Sequence, residues 1–171
     1  MKYFVHKPNE ETKKVVDLFK KAKPNSIREI KKLGFSVRRV GNGAFRDVYS
    51  LRKTGLIVKI VQDSYGCNLD HHRDEIKAYT KIMTNRKYKL LHKYMPEIYY
   101  YEDGIVLMKE YKKFHTYGYD DTRINAVGSA LLDLFNTVMS QKRNWRDFNN
   151  HGNIGLDFKT DQLVILDLGC F

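Results

Sequence analysis

Hydrophobic positions along this chain change their period part-way through. Between residues 10 and 33 they recur at helical spacing, as Val15, Val16, Leu18 and Phe19, then as Ile27, Ile30 and Leu33. Asn9 followed by Glu10 and Glu11 predicts a helix start, with a side-chain cap and acids beside the positive end of the helix dipole. Basic residues gather near its end, and Pro24 stops it. Ser26 with Glu29 has capping-box spacing for a second, short helix, which Gly34 closes. From Phe35 the pattern shortens: Phe35, Val37 and Arg39 alternate with other residues, and Gly41-Asn42-Gly43 interrupts them. Val48–Leu51 and Leu56–Val61 predict strands joined by a turn at Lys53-Thr54-Gly55. Asp70 to Thr84 predicts a helix with Ile76, Tyr79, Ile82 and Met83 inward. Ile98–Tyr101 and Ile105–Met108 flank Glu102-Asp103-Gly104, a hairpin signal. Asp120 or Asp121 caps a long helix running to about Gln141, with Ile124, Val127, Leu131, Leu134, Phe135 and Val138 as its apolar set. A polar stretch, Asp147 to Gly155, leads to a last strand, Leu163–Leu166, and then Asp167-Leu168-Gly169.

Strands clustered ahead of a long helix predict an α+β chain of two lobes rather than a doubly wound sheet. The expected divisions are a helical extension over 1–34, a strand-rich lobe over 35–111, and a short helical lobe over 112–171. A chain of 171 residues is one domain, or one domain in two lobes. No apolar run approaches the roughly 18 residues of a membrane helix, and the polar first residues do not read as a signal peptide. A soluble, cytoplasmic protein without a membrane partner is the expectation. Cys67 and Cys170 sit in unrelated segments and read as reduced thiols.

Charge changes this picture only at one end. The net charge is +11, and residues 1–39 hold twelve Lys and Arg against four Asp and Glu. Such a surface attracts anions, but it lacks the interleaved aromatic and basic residues or recognition helix of a nucleic-acid binder. Nucleic acid is therefore not the expected partner.

Five features carry chemistry. Gly41-Asn42-Gly43-Ala44 lies between two strands, where glycine lets backbone N–H groups approach a phosphate. Lys59 stands in an otherwise aliphatic run, and a lysine there wants an anion. Glu75, on the following helix, is a natural partner for it. Asp147 and Asn153 share the polar loop; an aspartate can orient a substrate hydroxyl, and an asparagine carbonyl can bind a metal ion. Asp167 follows a strand of aliphatics and precedes a glycine, well placed for Mg²⁺. Each feature also has a plain structural reading, as a turn, a strand-edge lysine or a surface acid.

In this order and spacing, the five resemble the protein-kinase-like family. In brevity the chain is similar to the short serine/threonine protein kinases encoded by tailed bacteriophages. The resemblance spans about Val37 to Phe171. It implies a two-lobed fold with an antiparallel-sheet N-lobe and a minimal C-lobe, with ATP and Mg²⁺ as cofactors. Gly41, Asn42, Gly43 and Ala44 would cover the phosphates, and Lys59 would contact them while paired with Glu75. Leu107 to Tyr111 (with Met108, Lys109, Glu110 and Tyr111 as contacts) would meet adenine. Asp147 would be the catalytic aspartate, and Asn153 and Asp167 the metal ligands. The implied activity is phosphoryl transfer to Ser or Thr of a protein, of the host if the phage likeness holds. A homodimer or a partner would complete the short C-lobe.

The chain departs from that pattern in four places. Arg46 replaces the third glycine. The His-Arg-Asp triplet reads Trp145-Arg146-Asp147. Asp147 and Asn153 are six apart where the pattern has five, so either the loop carries an extra residue or Asn149 or Asn150 serves as ligand, with His151 involved. The sequence stops at Phe171, without an activation segment. Two other classes therefore stand beside the enzyme: a catalytically inactive binding module that modulates a host factor, and a small-molecule phosphotransferase. Convergence of Asp147, Asn153 and Asp167 on one metal ion would separate the enzyme from the binding module.

Overall fold

The computed structural model of the chain describes residues 3–42, 46–62, 68–102, 104–114, 121–139 and 153–167. It is an α+β arrangement that divides into two compact units. One comprises Met1–Arg73 with Glu97–Glu110, the other Asp74–Pro96 with Tyr111–Phe171. The first 34 residues therefore cluster with the strands that follow them.

Unit one opens with helix α1, Glu10–Ala22, capped as the sequence predicts: the Thr12 N–H donates to Asn9 Oδ1 at 2.8 Å. Helix α2, Ile27–Lys32, starts at Ser26, whose Oγ accepts from the Glu29 N–H at 3.4 Å. The expected reciprocal bond shifts by one residue, because Glu29 Oε2 accepts from the Asn25 N–H at 2.8 Å. Gly34 then takes a φ of +90°, which a side chain would resist.

Five antiparallel strands follow in the order β1-β2-β3-β5-β4, where β1 is Val37–Asn42, β2 Arg46–Leu51, β3 Leu56–Val61, β4 Ile98–Glu102 and β5 Ile105–Lys109. Alternation sends Leu56, Val58 and Ile60 to one face, where they join Leu51, Ile105 and Leu107. Val15, Val16, Phe19 and Ile30 of the two helices close that core, together with Tyr99 and Tyr100. The tyrosine run is thus packing material, with Phe19 and Tyr100 meeting edge to face at 5.8 Å. On the sheet's β4 edge, the His6 N–H donates to the Ile98 carbonyl at 2.6 Å. Glu97, just ahead of β4, accepts from Tyr99 Oη at 2.6 Å and from Lys109 Nζ at 3.0 Å. Burial alone would raise its pKa, but these donors and the nearby charges of Lys109 and His6 outweigh it and hold the carboxyl below its ordinary value.

Helix α3, Asn68–Thr84, crosses the division between the units after Arg73. In unit two its buried residues are Ile76, Tyr79, Thr80 and Ile82, with the Tyr79 hydroxyl donating to the Pro96 carbonyl at 2.8 Å. The lysine-rich stretch after it is a 3₁₀ segment, Arg86–Tyr94, whose lysines lie at the surface while Tyr88 and Leu91 are buried. Helix α4, Asp121–Met139, packs on this segment and buries Ile124, Leu131, Phe135 and Met139. Of the expected apolar set, Ile124, Leu131 and Phe135 are buried while Val127, Leu134 and Val138 are only half-buried, and Met139 joins the buried side. Three short strands complete unit two: β6 Lys112–Lys113, β7 Ile154–Leu156 and β8 Leu163–Ile165, in that order. No helix among the described residues is long and apolar enough to cross a membrane.

Two outcomes test this packing. Phe19→Ala should destabilise the protein by about 3–5 kcal/mol in urea unfolding, because the ring is fully enclosed by both helices and the sheet. Glu97→Gln should cost about 0.5–1 kcal/mol at neutral pH after allowance for solvent screening. Since the folded carboxyl titrates below its unfolded value, that stabilisation is present above the ordinary carboxyl pKa of 4.5 and disappears as pH falls through the depressed value. The wild-type and Glu97→Gln stability curves should therefore converge in acid.

Candidate functional site

The face of the sheet opposite α1 and α2 carries Lys59. Its cross-strand partners are Val48 on β2 and Val106 on β5, and Val48 in turn faces Gly41 on β1. Tyr101 on β4 ends the same row. Gly41 and Lys59 therefore lie on one face and one row, two interstrand spacings or about 10 Å apart. Lys59 is 6 % exposed in the centre of this sheet, and it makes polar contacts there. The sequence alone leaves open whether that lysine is an edge residue. The order β2-β3-β5 removes the edge.

The bulge in β1 is what brings Gly41 to this row. Arg39 faces Tyr49, but Gly41 faces Val48, so Val40 is an extra residue between them. Without it, Gly41 would fall opposite Asp47 and on the other face. Asn42 does lie opposite Asp47. Gly43 and Ala44 lie outside the described residues.

The same face holds Ser50, Ile57 and Met108 in the next row, all buried. Ser50 Oγ donates to Glu110 Oε2 at 3.0 Å, tying β2 to the segment after β5. Within the expected adenine-binding segment, Met108 is almost fully enclosed. The N–H groups of Lys109 and Glu110 are already engaged, donating to the Glu97 and Gly55 carbonyls at 3.0 and 2.8 Å. The Lys109 side chain faces the α1 and α2 side, in its ion pair with Glu97. Tyr111 is buried and begins the other unit's portion of the chain. His72, on the first turns of α3, stacks on Tyr101 with ring centroids 5.1 Å apart. Nothing in the sequence links these two rings; only the sheet order places them together.

Unit two holds Glu75 half-buried on α3, and it holds the expected metal ligands. Asn153 and Asp167 adjoin at one end of the β7–β8 pair. Ile154 faces Ile165, and the Leu166 N–H continues the ladder by donating to the Asn153 carbonyl at 2.7 Å, which leaves Asp167 as the next residue. Both are half-buried and both make polar contacts. One carboxylate with one amide is a donor set suited to Mg²⁺, which keeps waters and substrate phosphates as its other ligands. Among the described residues, no three His, Cys, Asp or Glu gather into a metal-holding group. Asp147, Asn149, Asn150 and His151 lie outside the described residues. At the other end of β7–β8, Asp157 Oδ1 accepts from the Lys159 and Thr160 N–H groups at 2.9 and 3.2 Å and sets the turn.

Strand β7 has little room. A Cβ on Gly155 would stand 2.9 Å from Leu166 Cδ1 and 2.9 Å from the Lys112 carbonyl oxygen. The sequence shows Gly155 only as the end of a polar stretch, yet it sets how closely β6 and Leu166 approach β7. No family model matches this chain, and no curated protein matches it.

Gly155→Ala should cost about 1–3 kcal/mol in urea unfolding, because backbone as well as side chain must move. In the same variant the amide resonances of Asn153 and Asp167 should shift, measured in isotopically labelled protein.

Proposed function

We propose that the chain is an ATP- and Mg²⁺-dependent phosphotransferase of the protein-kinase-like, two-lobed class, acting on Ser or Thr hydroxyls of proteins. The observation that carries this reading is the register that sets Gly41 in the row of a buried Lys59. A bare backbone and a desolvated cation on one sheet face suit a polyphosphate. The adjacency of Asn153 and Asp167 is a second, independent support.

In this reading Lys59 neutralises the non-transferred phosphates and is held by Glu75. Asp147 takes the proton of the attacking hydroxyl, whose oxygen forms the new bond to the γ-phosphorus as the bond to ADP breaks. Asn153 and Asp167 would hold Mg²⁺, which when bound neutralises charge on the phosphates. Met108 walls the base, and host proteins are the substrate class if the chain serves a phage. Positioning and charge neutralisation are what such transfer needs from a protein.

The test is transfer of label from γ-³²P-ATP with Mg²⁺, to the protein itself and to bacterial lysate. Wild type should label, and Lys59→Ala and Asp167→Ala should each lose about 10²-fold or more. Absence of label, together with no rise in melting temperature on adding Mg·ATP, would overturn the enzyme and leave a binding module.

A further inference from the structure

The 3₁₀ segment Arg86–Tyr94 sorts its side chains with a period of three. Tyr88 and Leu91 are buried and Tyr94 is half-buried, whereas Arg86, Lys87, Lys89, Leu90 and Lys93 are exposed. The period survives a kink at Tyr88, where φ is −99° and ψ is 15°. Local bonds fix the segment at both ends. Asn85 Oδ1 accepts from the Lys87 N–H at 2.9 Å, and the Met95 N–H donates to the His92 carbonyl at 3.1 Å. His92 Nε2 donates to the Ile82 carbonyl at 2.9 Å, and the segment lies against α4 and β8. The outward side chains thus project from an anchored backbone.

Two properties set that outward surface apart. No Asp or Glu occurs between Glu75 and Glu97, while Lys81, Arg86, Lys87, Lys89 and Lys93 are all exposed there. Among the described residues, none of these five forms an ion pair. In their midst Leu90 is 66 % exposed, the most exposed large hydrophobic side chain among the described residues. It stands three residues from Lys87 and three from Lys93, a spacing that lines side chains up along a 3₁₀ helix. Lys87 Nζ lies 5.8 Å from the centre of the Tyr88 ring and Lys93 Nζ 4.8 Å from that of Tyr94, which restrains both lysine chains before anything binds. At about 2.0 Å per residue, Lys87 and Lys93 are about 12 Å apart along the segment. About seven or eight residues of an α-helix, at about 1.5 Å each, cover the same length.

We propose that this face docks an acidic amphipathic helix of another protein, with Leu90 entering its apolar stripe and Lys87 and Lys93 meeting carboxylates about two helical turns apart. An apolar contact framed by charge pairs is the ordinary anatomy of a protein interface. The chain's own net charge of +11 disfavours a second copy as the occupant. Nucleic acid would answer the cations but leave Leu90 in water. The segment also turns no aromatic ring outward to stack on a base, because Tyr88 is buried and Tyr94 lies under Lys93. A lipid surface takes up a face of several apolar side chains, and here Leu90 stands alone among cations.

Fluorescence anisotropy with the full chain tests it. The probe is a labelled synthetic helical peptide with leucines along one stripe and glutamates on both flanks. Polyglutamate of equal charge, a single-stranded oligonucleotide and phosphatidylserine vesicles are the comparisons. Wild type should bind the peptide about tenfold more tightly than polyglutamate, and Leu90→Ser should remove that difference. Lys87→Glu combined with Lys93→Glu should weaken binding about tenfold or more and flatten its dependence on salt. Lys13→Glu combined with Lys14→Glu makes the same change of net charge on the exposed side of α1, and should leave the affinity within about twofold of wild type. All these side chains are exposed, so urea midpoints should match wild type; should Leu90→Ser fail to fold, Leu90→Gln takes its place. No binding of the peptide, or equal binding of polyglutamate, overturns the docking face. A loss from the α1 pair as large as that from Lys87 and Lys93 reduces the effect to diffuse charge and overturns it too. Tighter binding of the oligonucleotide or of the vesicles than of the peptide overturns the choice of a protein helix.

Discussion

An ammonium group enclosed at the centre of a sheet is the constraint on which the rest of unit one turns. Lys59 has β2 and β5 on either side and aliphatic neighbours before and after it in the chain. Water is withheld from it, so anionic or polar company must be supplied by the protein or by a ligand. That demand explains why the two faces of the sheet differ. One face is a sealed apolar core under α1 and α2. The other mixes Lys59, Ser50 and Tyr101 with Ile57, Val106 and Met108.

The sequence made the helices and hairpins legible because their signals are local. Asn9, Ser26 and Gly34 each act within a few residues of where they stand, and α1 and α2 fall where those residues put them. The Glu102-to-Gly104 hairpin is equally short-ranged. What escaped the sequence depends on partners far along the chain. Strands β6 and β7 are two and three residues long, below the length at which alternation can be seen, and they exist because they pair with each other and with β8. The 3₁₀ segment carries too many lysines to look buried, yet Tyr88 and Leu91 anchor it.

The candidate site divides in the same way. Lys59 is conspicuous in sequence as a charge among aliphatics, and Asp167 as an acid after them. The relation between Gly41 and Lys59 is not, because a one-residue bulge decides which face the glycine occupies, and alternation read from the sequence would assign the wrong one.

The order of strands also fixes when the chain can fold. Strand β3 pairs with β5, not with the next strand in sequence, so α3 and the 3₁₀ segment are looped out before the sheet closes. Phe19 and Ile30, near the start, share their core with Tyr99, Tyr100, Ile105 and Leu107. During synthesis the first two helices would emerge with their apolar stripes uncovered and wait for some seventy further residues, the span from Ile30 to Tyr100, before a complete surface exists to receive them. A ribosome-bound nascent chain stopped short of β5 would thus present those stripes to whatever chaperone is at hand.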